Sequence, residues 1–244
     1  MYKKLAMLCV LGLLASAPAA AHATSITYNS VAGSDSDGPL SASAAFTTSA
    51  GQIVVTVTNL ISATTIRDVG QAVSDITFTL SNAAGTVGTA TASGQQGNIS
   101  SSKVVTDVAG TPGRFIGVGG GVYTVAGSTV TLEAIGGGQP TELIMPFVAN
   151  GGSFGNTNPG IDAHNPYTIG LGTFSLALSG ITANTTVTDV TFSFGTGPDA
   201  FLAGTPVTTP PTVPEPSSLM LLGTGIVGAA GLLRRRMTRA TNLS

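Results

Sequence analysis

Four stretches in the middle of the chain alternate apolar and polar residues one by one. Their apolar members are Ile53, Val55 and Val57; Ile76, Phe78 and Leu80; Phe174, Leu176 and Leu178; and Val190, Phe192 and Phe194. Successive side chains of a β-strand point to opposite faces of the sheet, so this period of two predicts strands with one buried face. Val187 is out of step with Val190, which predicts a bulge or bend near Thr188 and Asp189.

The segment from residue 24 to residue 206 contains no convincing amphipathic helix, and its runs are bounded by clusters of Gly, Asn and Pro. Many short strands with glycine-rich turns are typical of an all-β protein. We therefore expect residues 24–206 to form one exported domain, folded as an antiparallel β-sandwich or a related double sheet.

The N-terminus has the order of features found in a secretory signal peptide. Two basic residues, Lys3 and Lys4, precede a short apolar run, and the small residues Ala21 and Ala23 follow it. The run is too short for a membrane anchor, which is the alternative interpretation. The sequence predicts that residues 1–23 direct export through a Sec-type pathway and that signal peptidase leaves Thr24 as the first mature residue.

The C-terminus combines a Pro-rich linker (207–216), an apolar segment (217–233) and a basic tail (234–244). Seventeen helical residues span about 25 Å, slightly less than a hydrocarbon core of about 30 Å. Four glycines in this segment would each weaken a water-soluble helix by about 1 kcal/mol, but membrane helices tolerate them. We expect a single short transmembrane helix that anchors the chain transiently in the inner membrane, with the arginine-rich tail in the cytoplasm.

Three short elements in this order resemble a PEP-CTERM sorting signal. They are the motif Val213-Pro214-Glu215-Pro216, the Gly-rich apolar helix, and the stop-transfer cluster Arg234, Arg235 and Arg236. The resemblance implies recognition by an exosortase, a membrane-embedded enzyme that processes its substrate near the Pro-Glu-Pro motif. It also implies a bacterial protein that ends at the cell surface or outside the cell, in a host that makes extracellular polysaccharide.

Charge and cysteine content exclude several classes of function. Between Thr24 and Pro216 the chain has three Lys or Arg residues against eleven Asp or Glu residues, which is a net charge of −8. Such a body is a poor match for phosphate backbones, so nucleic acid is not an expected partner. The one cysteine, Cys9, lies in the signal peptide, so the mature chain has no thiol for catalysis, disulfides or zinc.

The body offers few candidates for a chemical site. Asp35 and Asp37, in Asp35-Ser36-Asp37-Gly38, have the spacing of calcium-loop ligands, and an acidic turn explains them equally well. His164, with Asp162 nearby, is interpreted as a loop residue rather than as part of a catalytic pair.

Two further patterns are weaker still. The run Gly117–Gly121 lacks the Lys and Ser/Thr of a phosphate loop, and Glu133 and Glu142 are interpreted as solvent-facing acids rather than a glycosidase pair. The sequence therefore predicts no catalytic residue, no cofactor and no metal.

Three functions remain, in order of preference. The first is a non-enzymatic structural or binding protein of the cell surface or extracellular matrix. The second is a carbohydrate-binding module attached to extracellular polysaccharide, for which Tyr28, Tyr123 and Tyr167 are the tyrosines available in the body. The third is a secreted hydrolase that uses Asp or Glu.

Overall fold

The computed structural model describes residues 23–108, 123–133, 143–196 and 200–207, together with residues 225, 226, 228 and 229. The chain divides into two compact units, Met1–Val207 and Thr208–Ser244. The four described residues of the second unit are helical. Within the described residues, no helix has both the length and the apolar character needed to cross a membrane. The predicted membrane segment 217–233 lies almost entirely outside those residues.

The described residues of the first unit form strands and single turns of 3-10 helix. The strands are β1 (Thr24–Ser30), β2 (Gly33–Ser34), β3 (Pro39–Leu40), β4 (Ala42–Ser49), β5 (Gln52–Asn59), β6 (Val73–Leu80), β7 (Val87–Ile99), β8 (Val105–Asp107), β9 (Tyr123–Ala126), β10 (Thr129–Glu133), β11 (Ile144–Met145), β12 (Tyr167–Leu178), β13 (Val187–Phe194) and β14 (Ala200–Val207). The 3-10 turns are Val69–Gln71 and Ile161–His164. The prediction of an all-β body is confirmed.

The four alternating stretches all lie in strands, and their apolar residues are buried. In β5 every second side chain from Ile53 onward is buried, and the same alternation holds in β6 from Ser74 and in β12 from Gly170. The predicted irregularity in β13 is also confirmed. The pairing of β13 with β6 shifts register between Thr188 and Thr191, and Asp189 adopts a left-handed backbone conformation with φ of 50°. This extra residue restores Val190 to the buried face.

The strands do not form two separate facing sheets, so the predicted sandwich is wrong. Twelve of the described strands belong to one sheet, and eight of them close into a ring in the order β12, β5, β4, β1, β14, β13, β6 and β11. The two-residue strand β11 completes the ring by pairing with β6 on one side and with β12 on the other. Period-2 burial could not reveal this, because a closed sheet and a sandwich both bury one face of every strand. The β11–β12 pair is also parallel, whereas antiparallel pairing was predicted.

Two groups of buried side chains stabilise this unit. The larger fills the interior of the ring, where Phe46 of β4 lies between Tyr28 and Phe78. The smaller lies among the loops that follow β5, β7 and β11. Its members include Ile66, Val105, Met145, Phe154 and Tyr167. Ile66 and Ile161 of this second cluster lie next in sequence to the charged residues Arg67 and Asp162.

Candidate functional site

The segment Asp35–Gly38 forms the loop of the small hairpin β2–β3. The Asp35 carboxylate accepts hydrogen bonds from the backbone nitrogens of Asp37 (2.9 Å) and Gly38 (3.0 Å). This arrangement is a side-chain-capped turn, which is the alternative that the sequence left beside calcium binding. One oxygen of Asp35 is therefore already occupied by the backbone of its own loop.

A third carboxylate, from Asp68, faces the same loop. Asp68 caps the 3-10 turn Val69–Gln71 through a 2.6 Å hydrogen bond from the nitrogen of Val69. This turn holds Gly70 against the acidic loop so closely that a Cβ atom on Gly70 would lie 2.6 Å from Asp37 Oδ2 and 3.3 Å from Asp35 Oδ2. Only a glycine allows this approach, because any larger residue would displace a carboxylate.

The electrostatic consequence of this packing appears at Asp37. Burial raises the pKa of the Asp37 carboxyl above its ordinary value, and the negative charges of Asp68 and Asp35 raise this pKa further. We name Asp35, Asp37 and Asp68 the acidic cluster. Sequence reasoning did not find Asp68, since nothing in its neighbourhood marks it as a partner of a loop about thirty residues earlier.

The polar environment of the acidic cluster is organised by Asn158. Its amide donates a 3.0 Å hydrogen bond to Asp68 Oδ2, and its backbone nitrogen donates to the carbonyl of Arg67. Its carbonyl accepts a 2.7 Å hydrogen bond from the Lys103 ammonium. Asn158 therefore contacts Asp68, the backbone of Arg67 and the Lys103 ammonium at the same time. Among the described residues, no group of three or more His, Cys, Asp or Glu side chains has an arrangement that could hold a metal ion.

The described hydrogen bonds of the segment around His164 hold its backbone against a neighbouring strand. Asn165 uses its side chain to bind both the nitrogen (2.6 Å) and the carbonyl (2.7 Å) of Ile99, and it also donates to the carbonyl of Asp162. His164 Nδ1 is buried, and no described atom is within hydrogen-bonding distance of it. The Asp162 carboxylate therefore does not orient this ring nitrogen in the way that a catalytic His–Asp pair requires.

The three tyrosines that a carbohydrate site would use are buried or half-buried in the structure. Tyr28 is 5% exposed and donates a 2.6 Å hydrogen bond to the carbonyl of Val187, while Tyr167 is fully buried and donates to the carbonyl of Ile161. Burial raises the pKa of both phenols. Tyr123 is half-buried against the interior cluster. The tyrosines therefore do not form an exposed platform.

Two phenylalanines are exposed instead. Phe147 is 65% exposed, and Phe201 is 61% exposed. The exposure of Phe147 could not be predicted from the sequence, because Phe147 lies in the apolar run Leu143–Val148, whose other members are buried.

Some predicted residues lie at the edge of the described segments or outside them. Ala23 and Thr24 are exposed, and β1 begins at Thr24, the residue predicted to start the mature chain. The remaining residues of the targeting signals are not among the described residues. They are Ala21, Val213, Pro214, Glu215, Pro216, Arg234, Arg235 and Arg236. Glu142 and the run Gly117–Gly121 also lie outside them, and Glu133 is the last residue of β10.

Comparison with known proteins identifies one region of the chain. A family model described as a PEP-CTERM protein-sorting motif matches residues 212–236. No curated protein and no solved structure matches the chain. The match covers the predicted motif, the apolar segment and the arginine cluster, so the predicted resemblance is confirmed. The chain carries the sorting signal of an exported protein that a membrane-bound exosortase processes.

Proposed function

We propose that this protein is a structural or binding component of the cell surface or extracellular matrix, released from the inner membrane by an exosortase-like enzyme. The observation that carries the proposal is the match of residues 212–236 to the PEP-CTERM sorting motif. Export begins at the N-terminal signal, which a Sec-type translocase and signal peptidase recognise. The basic tail then holds the chain in the membrane until the enzyme acts near Pro214-Glu215-Pro216.

The described body supports a non-enzymatic role. Two of its acid groups have a structural use: Asp35 caps a hairpin loop, and Asp68 caps a 3-10 turn. The Asn165 amide is bound to the backbone of Ile99. A closed sheet in which five neighbouring strands carry no charged residue suits a protein that persists outside the cell and makes contacts there.

The proposal is tested by intact mass and fractionation of the protein in its native host. We expect a chain that begins at Thr24 and ends near Pro214-Glu215-Pro216, and we expect it outside the inner membrane. Replacing Pro214, Glu215 and Pro216 together by Ala should leave a chain that retains residues 219–244 in the inner membrane.

The double variant Pro210→Ala/Pro211→Ala is the matched control, because it removes two prolines that lie outside the matched residues. It should be processed like the wild type. The proposal fails if the wild-type chain keeps its C-terminal segment in the inner membrane, or if the motif variant is processed as efficiently as the control.

A further inference from the structure

Five neighbouring strands of the closed sheet and its extension carry no charge. In the order β7, β12, β5, β4 and β1 they contain 13, 12, 8, 8 and 7 residues, and none of these is Asp, Glu, Lys, Arg or His. The body as a whole has a net charge of −8 between Thr24 and Pro216. All of that charge is therefore carried by other strands and by loops.

The outward positions of these strands are rich in hydroxyl groups. We name this surface the hydroxyl face and define it by six residues: Thr47, Thr56, Thr91, Ser93, Thr173 and Ser175. Their register places them in two rows that cross the strands, because Thr56 and Ser93 both pair with Thr173, while Thr91 pairs with Ser175. Thr47 belongs to the second row, since it pairs with Val54, which in turn pairs with Ser175. Residues paired in this way share one face of the sheet.

Hydrogen bonds between strands hold three of these six hydroxyls, those of Thr56, Thr173 and Ser175, in place. Thr56 Oγ1 and Thr173 Oγ1 are 3.0 Å apart, and Gln52 Nε2 donates to Ser175 Oγ at 2.7 Å. In the Thr56–Thr173 pair, the hydroxyl that accepts keeps its own O–H donor, and both oxygens keep a free lone pair. Ser175 Oγ, which accepts from Gln52, likewise keeps its O–H donor. The hydroxyl face therefore presents ordered hydrogen-bonding groups at low cost in side-chain entropy.

An exposed aromatic ring stands at one end of this face. Phe147 packs on Gly170, where a Cβ atom would lie 3.2 Å from the Cβ and Cδ2 atoms of Phe147. The next residue, Leu171, is 45% exposed and starts the outward row of β12 that continues with Thr173 and Ser175. An apolar platform of Phe147 and Leu171 thus adjoins the ordered hydroxyls.

We propose that the hydroxyl face, together with Phe147 and Leu171, binds an uncharged polysaccharide. A sugar chain has aliphatic C–H faces that pack on an aromatic ring and hydroxyl groups that exchange hydrogen bonds with Thr and Ser. A neutral ligand offers no ionic partner, so a charged side chain buried against it would lose its hydration without compensation. The five strands of this face carry no charged side chain, so binding avoids this cost. An anionic polysaccharide would be repelled by the acidic body and would find no Lys or Arg on these five strands.

This inference rests on the proposed function, since it places the protein where extracellular polysaccharide is present. It is tested with the full chain purified in a non-glycosidic detergent, because a glucoside detergent would compete for the site. Isothermal titration calorimetry with three neutral polymers (hydroxyethyl cellulose, dextran and mannan) and with anionic polygalacturonate should show binding to at least one neutral polymer and weaker binding to polygalacturonate.

Three substitutions locate the site. Phe147→Ala and Ser93→Asp should each weaken binding at least tenfold. Phe201→Ala is the matched control, because Phe201 is equally exposed but lies on β14, outside the hydroxyl face, and its binding should equal that of the wild type. Thermal unfolding of each variant within about two degrees of the wild type shows that the fold is intact.

The inference is overturned by any of three results. These are no binding to all three neutral polymers, equal affinity of the Phe147 and Phe201 variants, or a preference for polygalacturonate. A dimer that Ser93→Asp converts to a monomer in sedimentation, without polysaccharide binding, would assign the face to a second copy instead. None of these results affects the fractionation experiment, so failure of this site remains distinguishable from failure of the sorting proposal.

Discussion

The rings of Phe46 and Phe78 meet edge to face inside the closed sheet, with their centroids 4.9 Å apart and their planes at 66°. Phe46 belongs to β4 and Phe78 to β6, and these two strands lie on opposite sides of the ring of eight. The contact therefore crosses the interior and depends on the closure of the sheet. Both rings are fully buried.

We expect Phe78→Ala to lower the free energy of unfolding by about 3–5 kcal/mol, because it removes a buried aromatic side chain and leaves a cavity. Phe147→Ala, at an exposed position, should change it by less than about 0.5 kcal/mol.

A double-mutant cycle of Phe46→Leu and Phe78→Leu in urea should give a coupling energy of about 0.5–1.5 kcal/mol. If the two substitutions changed the free energy of unfolding in a strictly additive way, the two rings would not interact.

Asn59 should be essential for the closure of the ring. Its buried amide donates to the carbonyls of Gln71 (3.0 Å) and Ile144 (2.9 Å), and its oxygen accepts from the nitrogen of Ile61. Asn59→Ala leaves these three backbone groups without their partner, and each unpaired buried group costs about 1–3 kcal/mol.

We therefore expect Asn59→Ala to destabilise the protein by at least about 2 kcal/mol in urea unfolding. Asn29→Ala, at an exposed position in β1, is the control and should have an effect below about 0.5 kcal/mol. Equal stability of the two variants would refute a role for Asn59 in closure.

The acidic cluster should make stability depend on pH in a direction unusual for a carboxylate. The pKa of Asp37 is raised by burial and by Asp68 and Asp35, so the folded state holds its proton more tightly than the unfolded chain does. The stabilising contribution is therefore complete below the unfolded pKa of about 3.9 and is lost as pH rises through the folded value.

Asp37→Asn removes the loss of stability that accompanies ionisation of Asp37, because an asparagine amide does not ionise. It should make the protein more stable at pH 7, by no more than about 1 kcal/mol because solvent screens the charges, and should have no effect at pH 3. Asp107→Asn is the control, since Asp107 is exposed and its oxygen bonds to the amide of Gln95, which an Asn oxygen can also do. Thermal unfolding at pH 3 and pH 7 measures the stability of both variants relative to the wild type. A gain that is the same at pH 3 and pH 7 would contradict the electrostatic explanation.

The bulge in β13 should tolerate only residues that adopt a left-handed backbone. Asp189 has φ of 50°, and its carboxylate accepts a 3.0 Å hydrogen bond from the Thr188 hydroxyl. Asp189→Val should destabilise the protein by about 1–3 kcal/mol, because a β-branched side chain is strained in this conformation. Asp189→Asn and Asp189→Gly should remain within about 1 kcal/mol of the wild type. Urea unfolding measures the stability of the three variants. An Asp189→Val variant as stable as the wild type would contradict the left-handed backbone conformation of Asp189.

Much of the strand structure could be predicted because its signal is local. A strand exposes and buries its side chains with a period of two wherever it pairs, so the buried faces of β5, β6, β12 and β13 follow from the sequence alone. The bulge at Asp189 follows from the same rule, through the broken spacing between Val187 and Val190. The same rule applies to Tyr28, which lies two residues after Ile26 on the same face of β1, so its burial could have been anticipated.

The sequence by itself determined the faces of the strands and the C-terminal sorting signal, which is recognised as a linear string of residues. Only the tertiary structure decided the closure of the sheet by Ile144–Met145, the meeting of Asp68 with Asp35 and Asp37, and the exposure of Phe147. These features depend on which distant segments become neighbours. A two-residue strand, a capped turn and one apolar residue in an apolar run carry no periodic pattern, so their partners are set by the packing of the whole domain.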